Sequence, residues 1–97
     1  MREDLEALRR ATVDAALRGD GELPVKVREA LARGEGPDEM RALVAKVRDH
    51  AYEVTDQDLD ALRGRYSDDQ LFEAVVAMVL GAADARLRAG LRVLEEA

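Results

Sequence analysis

The stretch that decides the fold is residues 67–83, SDDQLFEAVVAMVLGAA. Ser67 and Gln70 are spaced as an N-cap residue and its capping-box partner, so a helix is predicted to begin directly after Ser67. From Ala74 to Ala83 there is no polar side chain, and the apolar positions cover about half of the helix surface. These positions are Leu71, Phe72, Val75, Val76, Met78, Val79, Ala82 and Ala83. A helix that is apolar on so many sides has to be surrounded by protein.

This helix is predicted to run over residues 68–95 and to be covered in part by a second subunit. Ten apolar residues span about 15 Å, which is half of what a membrane crossing requires. The other helices of a 97-residue chain are short and offer little surface to enclose it. We therefore expect a homo-oligomer that forms through the 68–95 helix, and we expect no association with a membrane.

The same helix carries a row of small residues at a spacing of four: Ala77, Gly81, Ala85 and Ala89. Small side chains allow a second helix to approach closely, and Gly81 costs about 1 kcal/mol of helix propensity relative to alanine. Two interpretations remain open. The row is a dedicated helix-packing seam, or it reflects only the abundance of alanine in the chain.

Four further helices are predicted before the long one. They cover about 3–18, 24–33, 37–52 and a short segment that begins after Thr55 and ends near Gly64. Thr55 is followed by Asp58 at the third helical position, which repeats the capping pattern. The sequence thus predicts an all-α fold, a helical bundle of about five helices in one domain that comprises residues 1–97.

The composition excludes several classes of function. The chain has no cysteine, which rules out disulfides, thiolate metal sites and dithiol redox chemistry. It has 21 acidic and 15 basic residues, whereas surfaces that bind nucleic acids or anionic membranes need clustered positive charge. The first four residues, MRED, do not begin an apolar signal segment. We expect a cytoplasmic protein that binds no nucleic acid.

Arg86 falls in the middle of the apolar arc of the long helix, at an angle between Val75 and Val79. An unpaired buried guanidinium is costly, so Arg86 is expected to meet a carboxylate or the carbonyl groups at a helix end. The candidate carboxylates are Asp49, Glu53, Asp56 and Asp58. The alternatives are that the guanidinium reaches water or binds a ligand. Asp84 and Arg88, by contrast, are interpreted as an ordinary exposed i, i+4 pair.

The single histidine, His50, lies in a polar cluster with Asp49, Tyr52 and Glu53. Such a cluster could support acid–base chemistry, because histidine titrates near neutral pH. A solvated helix end explains the cluster more simply. We assign no catalytic residue on this basis.

Residues 56–60, DQDLD, resemble the beginning of a calcium-binding loop. The rest of that pattern is missing, because the sixth position is Ala61 and not glycine, and the twelfth is Ser67 and not glutamate. One histidine is also too few for a di-metal site in a helical bundle. No metal ligand and no cofactor site is assigned.

Several segments from Val44 onward match the pattern of a known family. They are the cap at 54–58, the pair Leu62-Arg63, residues 66–74, the apolar run to Leu80, and Ala85-Arg86-Leu87 in place of the usual Asn-Arg-Leu. In these segments the chain resembles the C-terminal portion of the carboxymuconolactone decarboxylase and alkylhydroperoxidase D-like superfamily. The resemblance covers roughly half of the chain, and it is based on caps and apolar positions.

The resemblance implies an all-α protein that assembles as trimers, hexamers or related oligomers through its long helices. The redox branch of the family uses Cys-x-x-Cys followed by histidine, and this chain has no cysteine. We therefore expect a non-redox oligomer with a structural or protein-interaction role, for instance as the partner of an enzyme. The alternative is a cofactor-free acid–base enzyme of the decarboxylase type, or a sensor of small carboxylates, that uses His50, Glu73 and Arg86.

Overall fold

A computed structural model of the protein describes residues 2–96 and contains five α-helices in that range. They are α1 (Arg2–Arg18), α2 (Val25–Ala32), α3 (Arg41–His50), α4 (Asp56–Asp60) and α5 (Asp68–Glu96). Residues 2–96 contain no β-strand. The predicted all-α fold with a long C-terminal helix is confirmed.

Both predicted helix caps are present. The amide of Ser67 donates to Oε1 of Gln70 at 2.9 Å, and the amide of Gln70 donates to Oγ of Ser67 at 3.1 Å. At the start of α4, the amide of Thr55 donates to Oδ2 of Asp58 at 2.9 Å. These bonds satisfy N–H groups that lack an intrahelical acceptor, so they fix where α4 and α5 begin.

The helix predicted over 37–52 is divided into three pieces. The chain enters α3 through a 3-10 turn at Asp38–Met40, and the side chain of Met40 is completely buried. It leaves α3 at His50, where φ −147° and ψ 57° lie outside the helical region, and a second 3-10 turn follows at Ala51–Glu53. The predicted range of 37–52 therefore includes both 3-10 turns as well as α3.

The core lies between α2, α3 and α5, and α1 closes one side of it. The largest of the fully enclosed side chains are Leu31 of α2, Met40 before α3, and Met78 of α5. The buried apolar side chains are Leu17, Leu23, Leu31, Met40, Leu43, Val44, Val47, Leu62, Leu71, Ala74, Ala77, Met78 and Ala82. Only one face of α5 contributes to this set.

The small-residue row of α5 is a packing seam within the chain along part of its length. A Cβ at Gly81 would overlap the carbonyl oxygen of Ala32 at the end of α2. Ala77 is also buried, whereas Ala85 and Ala89 are exposed. Gly81 therefore allows α5 to approach α2 closely.

Helix α1 runs antiparallel to α5, and the two helices extend beyond the core as an arm. The arm consists of residues 3–12 and 85–96, and none of these residues belongs to the buried core, whereas Val13 packs against it. The molecule measures 47 × 28 × 19 Å. Its radius of gyration of 14.5 Å exceeds the roughly 12.5 Å that is typical of a compact chain of this length.

Candidate interaction surface

Helix α5 is apolar on two faces. Its inner face contributes Leu71, Ala74, Ala77 and Met78 to the core. Its outer face carries a second apolar row, called here the outer stripe, which lies within about 120° of the helix surface at 100° per residue. The outer stripe consists of Phe72, Val76, Val79, Leu80, Ala83, Leu87, Leu91 and Leu94.

Five of the eight side chains of the outer stripe are exposed, whereas Val76, Leu80 and Leu91 are half-buried. Phe72 is 71% exposed, Val79 45%, Leu87 48% and Leu94 67%. Single exposed apolar residues are common on protein surfaces, but a row that follows one helix for about 33 Å is typical of an interaction site. The predicted apolar arc is therefore split into a half that the chain covers and a half that it leaves exposed.

Beside the second half of the outer stripe runs an apolar groove, called here the α1–α5 groove. Its volume is about 370 Å³. The α1 side includes Leu5 and Leu8, which are 55% and 63% exposed. The α5 side includes Leu80, Leu87 and Leu91. The arm thus presents apolar side chains from both of its helices to the outside.

A charged cluster joins α1 to α5 next to this groove. Nη1 of Arg9 donates to Oδ1 of Asp84 at 2.5 Å, and Nη2 of Arg88 donates to Oδ2 of Asp84 at 2.8 Å. The Asp84 side chain is only 6% exposed. The interpretation of Asp84 and Arg88 as an exposed pair is therefore wrong for Asp84, because α1 covers the carboxylate.

The cluster also shifts the protonation of its members. Burial on its own raises the pKa of Asp84, but the hydrogen bonds from Arg9 and Arg88 outweigh burial and bring the pKa below its usual value. The hydrogen bond from Arg9 likewise lowers the pKa of Glu6. Nε of Arg9 is buried and has no acceptor within residues 2–96.

Arg86 is exposed and not enclosed by apolar side chains. Its Nη2 donates to the carbonyl oxygen of Arg48 at 2.8 Å, close to the end of α3. In the described part of the chain, no ion pair joins Arg86 to any of the four carboxylates considered for it. Because the arm begins at this level of α5, the arc around Arg86 is already open to water.

The three residues of the enzyme hypothesis have separate partners. Both carboxylate oxygens of Glu73 accept from the amide of Glu22, at 3.0 and 2.7 Å. His50 and Tyr52 are exposed, and Nδ1 of His50 lies 3.4 Å from the Tyr52 hydroxyl. Glu73 and Arg86 are thirteen residues apart on one helix, which corresponds to about 20 Å along its axis. The structure does not bring His50, Glu73 and Arg86 to a common site.

Among the side chains that the structure describes, the buried arginine is Arg28, which the sequence did not single out. It is 4% exposed, and its guanidinium donates to the carbonyl oxygens of Leu23 at 3.1 Å, Ala16 at 3.4 Å and Gly19 at 2.6 Å. Its position three residues before Leu31 on the core side of α2 was the available signal. The carbonyl groups that it binds come together only through the fold of the α1–α2 loop.

A second hollow, of about 890 Å³, lies between α2 and α3. Its basic residues are Lys26, Arg33, Arg41 and Arg48. Three of them are bound within the chain: Arg33 to Glu35, Arg41 to Asp38, and Arg48 to the carbonyl oxygen of Ala32. Carboxylates therefore pair with Arg33 and Arg41, whereas the carbonyl group that Arg48 binds leaves the charge of Arg48 in place.

Within residues 2–96, no group of three or more His, Cys, Asp or Glu side chains is placed to hold a metal ion. In the same range, no helix is long and apolar enough to cross a membrane. Comparison of the chain with family models, with curated proteins and with solved structures finds no match. Residues 2–96 do present an uncovered apolar surface, which consists of the outer stripe and the adjoining α1–α5 groove.

Proposed function

We propose that this chain is a non-redox helical protein that assembles with copies of itself through the outer stripe of α5. Its role is structural or lies in protein interaction, for instance with an enzyme. The observation that carries the proposal is the exposure of the stripe from Phe72 to Leu94, 71% and 67% at its two ends. A second copy that packs there removes this apolar row from water and gives the arm a core.

The surface area of the chain supports the proposal. The chain exposes 6689 Å², whereas a folded monomer of this length typically exposes about 5,500 Å². The excess of roughly 1,200 Å² is larger than the approximately 800 Å² that each partner contributes to a standard interface. The chain can therefore bury one side of a standard interface and still expose about as much surface as a typical monomer of its length.

Membership of the carboxymuconolactone decarboxylase and alkylhydroperoxidase D-like superfamily, and a cytoplasmic location, are part of the same proposal. The capped starts of α4 and α5 and the long apolar helix support the family, and the lack of cysteine supports the non-redox role. Acid–base catalysis or carboxylate sensing by His50, Glu73 and Arg86 has no support from their placement, since each engages a different part of the chain.

A matched pair of variants tests the proposal. Ala83 lies in the outer stripe and Ala89 lies on another side of α5, yet both are exposed and both can be changed to glutamate with the same change in charge. In size-exclusion chromatography with light scattering, the wild type and Ala89→Glu should associate. Ala83→Glu should weaken association at least tenfold, because a carboxylate would be buried without a partner. A monomeric wild type, or Ala83→Glu that associates like the wild type, contradicts the proposal.

A further inference from the structure

The outer stripe and the α1–α5 groove form one continuous apolar surface. Leu5 and Leu8 of α1 extend this surface beyond the groove. Six of the eight large apolar side chains that are exposed within residues 2–96 lie on it. A partner that covered the stripe alone would leave the α1 side of the surface in water. Four side chains belong to both the stripe and the groove: Leu80, Ala83, Leu87 and Leu91.

The groove lies on one edge of the outer stripe. At 100° per residue, the stripe is centred on Val76, with Phe72 about 40° to one side of that centre and Leu91 about 60° to the other. Asp84, which binds Arg9 of α1, lies about 20° beyond Leu91. Helix α1 therefore accompanies the stripe on one side only, and this asymmetry restricts how a second copy can cover the whole surface.

A twofold axis parallel to α5 does not allow two copies to cover the surface completely. If the two α5 helices face each other along the stripe, the two α1 helices lie on opposite sides of the pair, and each groove keeps an open side. If the two grooves face each other instead, each α1 lies over the α5 of the partner. The stripe from Phe72 to Val79 then has no helix directly above it, because α1 accompanies α5 only from about Leu80 onward.

A twofold axis that lies between the chains, perpendicular to α5 and level with Ala83, covers both parts. Ala83 is the midpoint of the stripe from Phe72 to Leu94, so antiparallel α5 helices cover each other along its length. Such an axis keeps the two α1 helices on the same side of the pair, where they lie next to each other and the two grooves face each other. Thr12 of α1 lies close to the axis, since it lines the groove together with Ala83.

We propose that α1 is part of the self-association surface: two copies pack antiparallel, and α1 of each copy lies against α1 of the other, beside the paired α5 helices. This inference rests on the proposed self-association and adds to it the role of α1, the direction of the pair and the position of its axis. The occupant of each α1–α5 groove is the same face of a second copy, so the pair closes on itself. The excess surface of roughly 1,200 Å² per chain is sufficient for an interface that includes both helices.

Disulfide cross-linking tests the inference, because the chain has no cysteine. Thr12→Cys places one thiol per chain close to the axis in α1, and a disulfide requires Cα atoms within about 7 Å of each other. Oxidation of the antiparallel pair should link these chains efficiently. In either parallel arrangement the axes of the two α1 helices are at least about 13 Å apart, so linkage should be slow.

Ala11→Cys is the matched control for Thr12→Cys. Ala11 is the neighbouring exposed residue, but it points about 100° away around α1 and does not line the groove. At the same protein concentration, Ala11→Cys should be linked at least tenfold more slowly than Thr12→Cys. Equal rates for the two variants would show that α1 does not lie against its counterpart.

Ala83→Cys separates the inference from self-association itself. Ala83 lies near the proposed axis in α5, so this variant should be linked in any pair whose α5 helices face each other along the stripe. Rapid linkage at both Thr12 and Ala83 is the expected result. Linkage at Ala83 without rapid linkage at Thr12 overturns the role of α1 and leaves self-association standing. Associated chains without linkage at Ala83 overturn the inference as well, and a protein that stays monomeric overturns both proposals.

Discussion

Nη2 of Arg28 donates to the carbonyl oxygen of Gly19 at 2.6 Å and so ties the start of α2 to the end of α1. The same guanidinium binds the carbonyl oxygens of Ala16 and Leu23. From the other side, Glu73 of α5 accepts from the amide of Glu22 in the same loop. The direction in which α1 leaves the core, and therefore the position of the α1–α5 groove, depends on these contacts.

Replacing Arg28 with methionine should destabilise the fold by about 3 kcal/mol. The change removes donors from three carbonyl groups at a site that is 4% exposed, and groups left unsatisfied there lose their hydrogen bonds without access to water. Chemical denaturation at one protein concentration measures the difference. Arg86→Met is the matched control. It should lower the free energy of unfolding by only about 0.5 kcal/mol, because the single hydrogen bond from Arg86 to the carbonyl oxygen of Arg48 is exposed. Equal losses for the two variants would refute the role given to Arg28.

Gly81→Ala and Gly90→Ala should have opposite effects although both glycines lie in α5. A Cβ at Gly81 overlaps the backbone of Ala32, so α5 and α2 must move apart. This should lower the free energy of unfolding by about 2 kcal/mol, although alanine has the better helix propensity. A Cβ at Gly90 meets nothing within 4 Å, so the same change should stabilise by about 1 kcal/mol. Thermal melting of both variants under identical conditions compares them. Stabilisation by Gly81→Ala would mean that α5 does not approach α2 this closely.

Acidification should destabilise the protein through the Arg9–Asp84 cluster. Because the pKa of Asp84 is lower in the folded chain than its usual value, the unfolded chain binds more protons between the two values. The stabilisation by Asp84 is therefore complete above about pH 5 and is lost as the pH falls through the folded-state pKa. Unfolding free energies at pH 6 and pH 3 should differ less for Asp84→Asn than for the wild type.

The control for this pH experiment is Asp14→Asn. Asp14 is an exposed carboxylate on the same helix as Arg9. Its replacement should leave the difference between pH 6 and pH 3 nearly unchanged. If Asp84→Asn kept the wild-type difference as well, the cluster would not be a source of the acid sensitivity.

The parts of the fold that could be predicted from the sequence are those that neighbouring residues determine. The starts of α4 and α5 follow from Thr55 with Asp58 and from Ser67 with Gln70, and each pair is only three residues apart. The apolar character of α5 could also be predicted from the sequence. Its division into an inner face and an outer stripe was not, because that depends on where the end of α2 meets Gly81.

The two arginines show the limit of reasoning from periodicity. A helical angle states which way a residue points, but it does not state what lies opposite. Arg86 has an apolar angle and is nevertheless exposed, because the arm begins at its level of α5. Arg28 is buried because the α1–α2 loop folds over it. The α1–α5 groove was unpredictable for the same reason, since it exists only where α1 lies antiparallel to α5.

The central claim is that the outer stripe is covered by another copy of the chain, and the mass of the wild-type protein in solution tests it most directly. Sedimentation equilibrium from about 1 to 100 µM should give a weight-average mass that rises with concentration toward an integer multiple of the chain mass, as mass action requires. A mass that stays at that of a single chain over the whole range would contradict the account.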